Sequence, residues 1–386
     1  VFPRGDYVYV PRYAYEWGEG TEGWESRQEL DLHVVHMGAA GGPALIGRVD
    51  LEAVTGRSFE GGQTYESYGE ILLTESALLV GRRSETYLWD DRGRDRRDHS
   101  YHYDVFDLSD PAAPRFTTRF EVPRSLVDMG WGIGPVGCGI DIGWGWWYAG
   151  YGQGNALVSG DIVASNHAVP LRDGSGRVRY FLDRLDVSDP ARPRLLRAVN
   201  IPGQLASYDA ARGYAVTVED VLRVASAEDW SDCHWRGWRA RYDEDGTCRV
   251  WDRRVNGVAI EDDRATRLSS VLLDAEGVAT NIAVSSDRVF ALRNTYTRAP
   301  EGYIEVEAVD VLTVDILPTG RLRPRPDVRI ADASPYGWYY GGPLQARDGR
   351  AVLTQSNEVV VVDATGTGTP TVATHDMPGW SCQSLQ

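Results

Sequence analysis

The 386-residue sequence contains no lysine, so all 40 basic residues are arginine, and the formal net charge is −16. A chain this acidic lacks the basic face that phosphate binding requires, which argues against nucleic acid or an anionic membrane as partner. No apolar run approaches the roughly 20 residues that span a bilayer, and no signal-peptide pattern is present. We therefore expect a mature or trimmed product, for which a lipid anchor upstream of residue 1 is compatible with the sequence.

Motifs of catalysis and nucleotide binding are also missing. The sequence has no GxSxG, HExxH or P-loop pattern, and its glycine-rich stretch at residues 130–137 follows no nucleotide-binding βα pattern. No catalytic residue and no cofactor are predicted. Asp243 and Asp245 offer alternate oxygens that vaguely resemble a calcium loop, but the bidentate glutamate is absent. The preferred interpretation is a plain Asp-rich turn, with calcium as the alternative.

Cysteine is scarce, with four residues and no CxxC spacing. An even number without metal-type spacing favours two disulfides in an oxidising compartment. We predict that Cys233 pairs with Cys248, closing a loop of about 15 residues, and that Cys138 pairs with Cys382. Other pairings stay open. The predicted location is secreted, periplasmic or at the cell surface.

A repeat runs through the chain. The segments YDVFDLSDPAAPRFTTRFEVP (103–123) and LDRLDVSDPARPRLLRAVNIP (182–202) match closely, and each has the composition of a strand, an Asp-Ser-Pro turn and a second strand. Four weaker copies follow the same pattern, and further strand-like segments precede each copy. A repeat of four short strands is typical of β-propeller blades.

We therefore predict an all-β fold. It is expected to be one closed β-propeller over residues 1–386, with six four-stranded blades and seven as the alternative. The C-terminal segment 379–386 resembles the first half of an inner strand whose second half is at the N-terminus. We expect this segment to close the ring against the N-terminal blade, which removes an open sheet edge.

The LSDPAAP and VSDPARP segments resemble those of bacterial secreted β-propeller proteins with LVIVD-type repeats. In that family a VxDVSDPxxP stretch recurs once per blade, and here two copies match well while four are degenerate. The resemblance implies an exported propeller of largely unassigned function. It implies no substrate and no active site.

Extra sequence and tryptophan are concentrated between particular strands. The second-to-third strand connections are predicted to be long loops on one face of the propeller, at 13–28, 84–100, 168–178, 220–254 and 295–302. The connections between blades at 126–153 and 331–342 fall on the same face, and all 13 tryptophans lie in these segments or near the C-terminus. Segment 143–154, GWGWWYAGYGQG, either roofs the channel with packed rings or exposes an aromatic platform. The predicted aromatic binding residues are Trp131, Trp144, Trp146, Trp147, Tyr148, Tyr151, Trp235 and Trp238.

A second candidate site is a polar ring at the ends of the second strands. Mixed donors and acceptors around a channel mouth can bind a polyol or a carboxylate, or can simply solvate the strand ends. The ring consists of Arg12, Arg82, Asn166, His167, Glu219, Arg293, Asn294 and Gln355.

The predicted function is a binding or assembly module that holds a partner protein or a surface glycan on its Trp-rich face. One alternative is a propeller hydrolase or lyase with its site at the funnel mouth. The other alternative is a structural subunit of a larger cell-surface assembly.

Overall fold

Antiparallel strands dominate the computed structural model. The structure describes residues 1–20, 23–38, 41–89, 95–127, 156–172, 178–225, 240–242, 245–273, 277–298, 304–330, 344–355 and 358–376. The chain divides into two units, Val1–Ala198 and Val199–Gln386, each with its own core.

Unit 1 contains thirteen described strands and one four-residue helix. The strands are β1 (Phe2–Arg4), β2 (Tyr7–Gly20), β3 (Gly23–His36), β4 (Ala44–Asp50), β5 (Val54–Phe59), β6 (Gly62–Leu73), β7 (Ala77–Trp89), β8 (Asp95–Asp107), β9 (Arg115–Glu121), β10 (Leu157–Ser159), β11 (Ile162–Pro170), β12 (Val178–Asp186) and β13 (Arg194–Leu195), and the helix is α1 (Arg124–Val127). They form the antiparallel ladders β1-β2-β3-β4, β6-β7-β8-β9 and β10-β11-β12-β13. Strand β5 pairs with both β3 and β6, so the first two ladders share one hydrogen-bonded sheet.

Unit 2 repeats the four-strand ladder. Its described strands are β14 (Val199–Ile201), β15 (Gln204–Asp209), β16 (Tyr214–Val224), β17 (Ala240–Tyr242), β18 (Cys248–Ile260), β19 (Ala265–Leu272), β20 (Val278–Val284), β21 (Arg288–Arg298), β22 (Ile304–Ile316), β23 (Leu322–Pro324), β24 (Val328–Ile330), β25 (Gln345–Arg347), β26 (Arg350–Gln355), β27 (Glu358–Asp363) and β28 (Thr371–Asp376). Its ladders are β15-β16-β18-β19, β20-β21-β22-β23 and β25-β26-β27-β28.

The core of each unit follows from alternation along the central strands. In unit 1, Leu30, Leu32 and Val34 are fully buried at every second position of β3. In unit 2, Val360 and Val362 are buried in the same alternation on β27. Valine and leucine suit this role because branched and apolar side chains pack well on a pleated surface.

The repeated turn has the same hydrogen bonds in both well-matched copies. The Asp107 carboxylate accepts from the Ser109 amide at 2.9 Å, and the Asp186 carboxylate accepts from the Ser188 amide at 3.1 Å. The proline of each Ser-Asp-Pro segment also has an equivalent contact. Its carbonyl oxygen accepts a hydrogen bond from a side chain of the preceding ladder. Tyr9 Oη donates to the Pro111 carbonyl at 2.9 Å, and Thr117 Oγ1 donates to the Pro190 carbonyl at 2.8 Å. The SDPxxP repeat therefore both shapes the turn and joins consecutive ladders.

The predicted all-β class is confirmed. No sheet among the described strands closes on itself, and segment 379–386 lies outside the described residues. Ring closure, blade number and the single-domain assignment stay predictions.

The expectation of long loops in the second-to-third strand connections is wrong for the residues that the structure describes. Strands β2 and β3 run through 13–28 with only residues 21–22 left between them, and β7 and β8 occupy most of 84–100. The described tryptophans lie in strands as well: Trp17, Trp24, Trp89 and Trp251. The physical reason is that the alternation of side chains between the two faces of a strand continues into these segments. The backbone therefore stays extended and hydrogen-bonded to the neighbouring strand.

Candidate binding surface

The extended hairpins of unit 1 carry aromatic residues on one face. Tyr13, Tyr15 and Trp17 occupy alternate positions of β2, and alternate residues of a strand point to the same side. Directly opposite residues of neighbouring strands also share a face. Trp17 lies opposite Ser26 of β3, Ser26 opposite Gly56 of β5, and Gly56 opposite Tyr65 of β6. The register therefore places Tyr65 on the same face as Trp17.

The same reasoning adds residues of β3 and β7. Trp24 is two positions before Ser26, and Tyr87 lies opposite Gln63, which is two positions before Tyr65. Trp89 follows Tyr87 at the next alternate position. We call this surface the aromatic face, and it consists of Tyr13, Tyr15, Trp17, Trp24, Tyr65, Tyr87 and Trp89.

The aromatic face is open to solvent. Trp17 is 64% exposed, Tyr15 59% and Tyr65 40%. Exposed rings of this size are uncommon on a soluble surface, and contiguous exposed apolar area marks interaction sites. Their exposure shows that the described residues leave the face uncovered.

Ring packing orders the centre of the face. The Trp24 and Tyr65 ring centroids are 4.7 Å apart at an interplanar angle of 32°, and Tyr65 meets Tyr87 edge-on at 6.5 Å. The Trp24 ring lies across Gly56, where a Cβ atom would come within 3.0 Å of it. Because glycine at position 56 has no side chain, the Trp24 ring can lie against the backbone there. Preordered rings lose little entropy on binding.

The opposite face of the same strands is charged. It carries Arg12 and Glu16 on β2, and Arg27 and Glu29 on β3, which form an exposed ion pair at 2.8 Å. Within the aromatic face, polar groups lie between the rings, since Tyr87 Oη donates to the Glu85 carboxylate at 2.6 Å. One sheet thus presents a charged side and an aromatic side with hydrogen-bonding groups among the rings.

The aromatic residues singled out from the sequence lie outside the described residues. These are Trp131, Trp144, Trp146, Trp147, Tyr148, Tyr151, Trp235 and Trp238. The aromatic face was missed because the segment YAYEWGEG (13–20) was assigned to a loop. Its alternation of large rings with small or charged residues is the signal of a strand that could have found it.

Two arginines of the predicted polar ring form ion pairs within their own units. Arg82 is buried and pairs with Glu52 at 3.2 Å and Asp104 at 3.5 Å, and Asp104 also accepts from Arg119 at 2.8 Å. The Arg82 guanidinium also lies over the Tyr68 ring. Buried charges need such partners, so these contacts within unit 1 satisfy most of the hydrogen-bonding capacity of the Arg82 guanidinium.

Unit 2 has the equivalent cluster. Arg293 pairs with Asp310 at 3.4 Å and Asp327 at 2.8 Å, and Arg329 pairs with Asp310 at 3.1 Å. Both units therefore contain a buried aspartate between two arginines, a contact that was not predicted from the sequence.

The other ring residues differ in their surroundings. Glu219 accepts from Arg267 at 2.9 Å and Asn256 at 3.3 Å, while Arg12 is exposed and Asn294 is buried. Asn166 is half-buried in β11, and Gln355 ends β26. The ring positions belong to both units, so their convergence on one ligand stays a prediction.

His167 has a carboxylate partner. Its Nδ1 lies 2.5 Å from Asp183 Oδ2, and its ring stacks on Phe181 with centroids 5.1 Å apart. Burial raises the pKa of Asp183, and the hydrogen bond to His167 opposes that shift. Ser165 lies opposite Asp183 and shares its face with His167. An imidazole held by a buried carboxylate can transfer a proton.

A half-buried acid, Glu70, lies at the bulge of β6. Tyr103 Oη donates to the Glu70 carboxylate, and the Ala156 amide donates to its other oxygen at 3.3 Å. Burial raises the pKa of Glu70, while these two hydrogen bonds lower it in part. Sequence reasoning missed Glu70 because its partners are distant in sequence: Tyr103 lies on β8, two strands away from β6, and Ala156 precedes β10.

Glu70 should make stability depend on pH. Because its pKa is raised in the folded state, the folded chain binds more protons above the ordinary glutamate pKa, and the free energy of unfolding falls as pH rises. The variant Glu70→Gln stays neutral, so we expect it to gain stability relative to wild type as pH increases from about 4 to 8. Urea denaturation at a series of pH values measures this difference.

The variant Tyr103→Phe provides the matched comparison. It removes a hydrogen bond that lowers the Glu70 pKa, so the pH range over which stability is lost should extend upward. Parallel pH curves for wild type and Glu70→Gln would contradict this assignment.

The remaining predicted sites are described only in part. Asp243 lies outside the described residues, and Asp245 accepts from the Thr247 amide at 2.8 Å, an Asx-type turn. The described ranges contain no cluster of three or more metal-ligating side chains. Cys248 is buried, while Cys138, Cys233 and Cys382 lie outside the described residues, so the pairing stays a prediction. Within the described part of the chain, no helix has the length and apolar character to cross a membrane.

No protein-family model and no curated protein matches this sequence. Among solved structures, the WD40 domain of SCAP from fission yeast is similar with a TM-score of 0.34 and 10% identity, over 92% of this chain and 74% of that chain. The tricorn protease is similar with a TM-score of 0.28 and 8% identity, over 97% of this chain and 36% of that chain. Likeness at this level carries no argument about function, and the all-β assignment rests on the strands themselves.

Proposed function

We propose that this chain is an exported β-propeller that binds a partner protein through its aromatic face. The succession of four-strand antiparallel ladders and the SDPxxP turns support the propeller, as does the resemblance to LVIVD-type repeat proteins. The observation that carries the binding function is the aromatic face itself, in which exposed rings surround the half-buried Trp24 and Tyr87 on a hydrogen-bonded sheet.

The composition and size of the face favour a protein partner. Tyrosine and tryptophan dominate interface hot spots because they combine a large apolar area with a polar group. Four strand spacings between β2 and β7 and six residues along a strand give an area of roughly 400 Å². One partner of a standard interface contributes about 800 Å². The aromatic face thus has the size of the apolar centre of such an interface.

Site-specific photo-crosslinking tests this function. A photoreactive phenylalanine analogue placed at Tyr65 lies in the middle of the aromatic face, and the same analogue at Glu66 lies on the opposite side of β6. In cells that naturally produce the chain, we expect a crosslinked protein adduct from position 65 and none from position 66. The adduct should disappear when Trp24 is replaced by alanine.

The other outcomes separate the alternatives. Equal adducts from both positions, or none from either, would reject a protein partner on this face. A glycan would instead give binding of soluble polysaccharides that is lost in Trp24→Ala without a protein adduct. An adduct containing only peptides of this chain would indicate self-association rather than a partner.

A hydrolase or lyase is the second candidate function. Its supporting observation is the pair of His167 and Asp183, in which a buried carboxylate orients an imidazole. Loss of a hydrolytic activity in His167→Gln, with full activity in Trp24→Ala, would favour this candidate over the binding module. A structural subunit of a surface assembly would use the same aromatic face against a fixed neighbour.

A further inference from the structure

Among the described strands, none pairs with most of one long edge of β2. Strand β2 pairs with β3 along its whole length, from Tyr7 to Gly20, but β1 covers its other side only from Tyr7 to Tyr9. No described strand pairs with that side from Pro11 onward. An open edge presents unpaired amide and carbonyl groups to any strand that approaches.

The residues whose backbone faces this edge can be assigned. A two-residue turn joins β1 to β2, and the residues that close such a turn, Arg4 and Tyr7, hydrogen-bond to each other. The side to which the backbone N–H and C=O groups point alternates from residue to residue along an antiparallel strand, and the β2–β3 register has no bulge to interrupt this alternation. Tyr13, Tyr15 and Trp17 therefore direct their amides and carbonyls outward. Pro11 also has an outward position, where the missing N–H costs no bond to β3.

We propose that a second copy of this chain occupies the edge, so that two β2 strands pair antiparallel with Ala14 at the two-fold axis. In this register Tyr13 of one copy forms a hydrogen-bonded pair with Tyr15 of the second copy. Arg12 then lies directly opposite Glu16 of the second copy, at a non-hydrogen-bonded position where side chains are closest. The symmetry repeats both pairs, which gives two charge pairs across the edge.

Other symmetric registers lose this complementarity. A shift by one register step places Arg12 opposite Gly18 or opposite Ala14, and a shift by two in one direction places Glu16 opposite Glu16. Neither Arg12 nor Glu16 forms an ion pair with a described residue, and both are exposed. In the β2–β3 register Arg12 lies opposite Asp31 and Glu16 opposite Arg27, so each charge would be shared between β3 and the second copy.

The pairing would also enlarge the aromatic face. A two-fold axis that joins antiparallel strands in one sheet is perpendicular to that sheet, so equal faces lie on the same side. Tyr13, Tyr15 and Trp17 of both copies would form one continuous aromatic surface. The dimer does not depend on the proposed partner protein, since its contacts are the edge backbone and the charged side.

Charge reversal at the edge tests the dimer. Sedimentation velocity over a concentration series should show a reversible dimer of the wild-type chain. Arg12→Glu and Glu16→Arg each replace two attractive pairs by two repulsive ones, and we expect each to raise the dimer Kd by about 100-fold. The double variant Arg12→Glu/Glu16→Arg restores opposite charges across the axis and should regain a dimer close to wild type.

Controls separate the edge from general effects. Arg57→Glu reverses an exposed charge on the same side of the interior strand β5 and should leave the dimer intact. Tyr15→Pro removes an outward N–H and should give a monomer with an unchanged circular dichroism spectrum. A wild-type chain that stays monomeric would assign the edge to another occupant, such as residues 379–386, and would overturn the proposal. Single variants that remain dimeric, or a double variant that stays monomeric, would overturn it as well.

Discussion

Replacing Asp220 by alanine is expected to lower the free energy of unfolding by about 3–5 kcal/mol. Asp220 binds the Arg253 guanidinium with both carboxylate oxygens, at 2.9 and 3.0 Å, and Arg253 is 0% exposed. The guanidinium also donates to the Ala279 carbonyl at 3.2 Å. Without the carboxylate, the buried positive charge would lose both of these charge-assisted hydrogen bonds with Asp220. Urea denaturation of wild type and variant measures the loss.

An exposed ion pair of the same unit provides the control. Glu261 and Arg264 lie three residues apart at 2.5 Å, with both side chains more than half exposed. Removing one partner of such a pair should change stability far less than the loss of Asp220, because water solvates the remaining charge. Equal losses for Asp220→Ala and Glu261→Ala would show that the burial of Arg253 does not control the energy of its ion pair.

Placing alanine at Gly81 is expected to destabilise the fold by about 3 kcal/mol through overpacking. A Cβ atom at position 81 would come within 1.9 Å of the Tyr101 hydroxyl and 3.1 Å of the Glu70 carbonyl. Tyr101 is 1% exposed and packs edge-on against Tyr103 with centroids 5.2 Å apart, so it has no free space into which to move. Thermal unfolding and urea denaturation should both detect the change.

Removal of the obstructing hydroxyl should reverse part of this effect. The double variant Gly81→Ala/Tyr101→Phe lacks the atom closest to the new methyl group, and we expect it to be more stable than Gly81→Ala alone. Gly18→Ala is the matched control, since no atom lies within 4 Å of its Cβ position, and it should change stability by less than about 0.5 kcal/mol. Additive single effects would show that the Tyr101 hydroxyl is not the source of the strain.

Local sequence predicted the turns well because each turn is closed by its own residues. In both SDPxxP copies, the aspartate that shapes the turn lies two positions before the amide it binds. The four-strand ladder could be predicted from the same turn residues, since each turn marks the end of one strand and the start of the next. Alternation within the strands then predicts which residues are buried.

The candidate site could not be predicted in the same way, because its contacts join distant parts of the chain. Arg82 was predicted in a polar ring that either binds a ligand or solvates the strand ends, and its ion pairs with Glu52, 30 residues earlier, and Asp104 on the next strand could not be foreseen. Glycine and tryptophan also misled the assignment of 13–28. Gly18 and Gly20 indicate a loop by composition, whereas pairing with β3 holds both residues in an extended ladder.

The pairing of β5 with two ladders affects how the chain unfolds locally. In most repeat proteins each repeat contacts its neighbours through side chains, and a terminal repeat can unfold by itself. Here β5 bonds to β3 on one side and β6 on the other, so main-chain amides connect the first repeat to the second. Neither repeat can separate without breaking that ladder. The smallest cooperative folding unit at this end of the chain is therefore a pair of repeats, whose amide protons should exchange with solvent together.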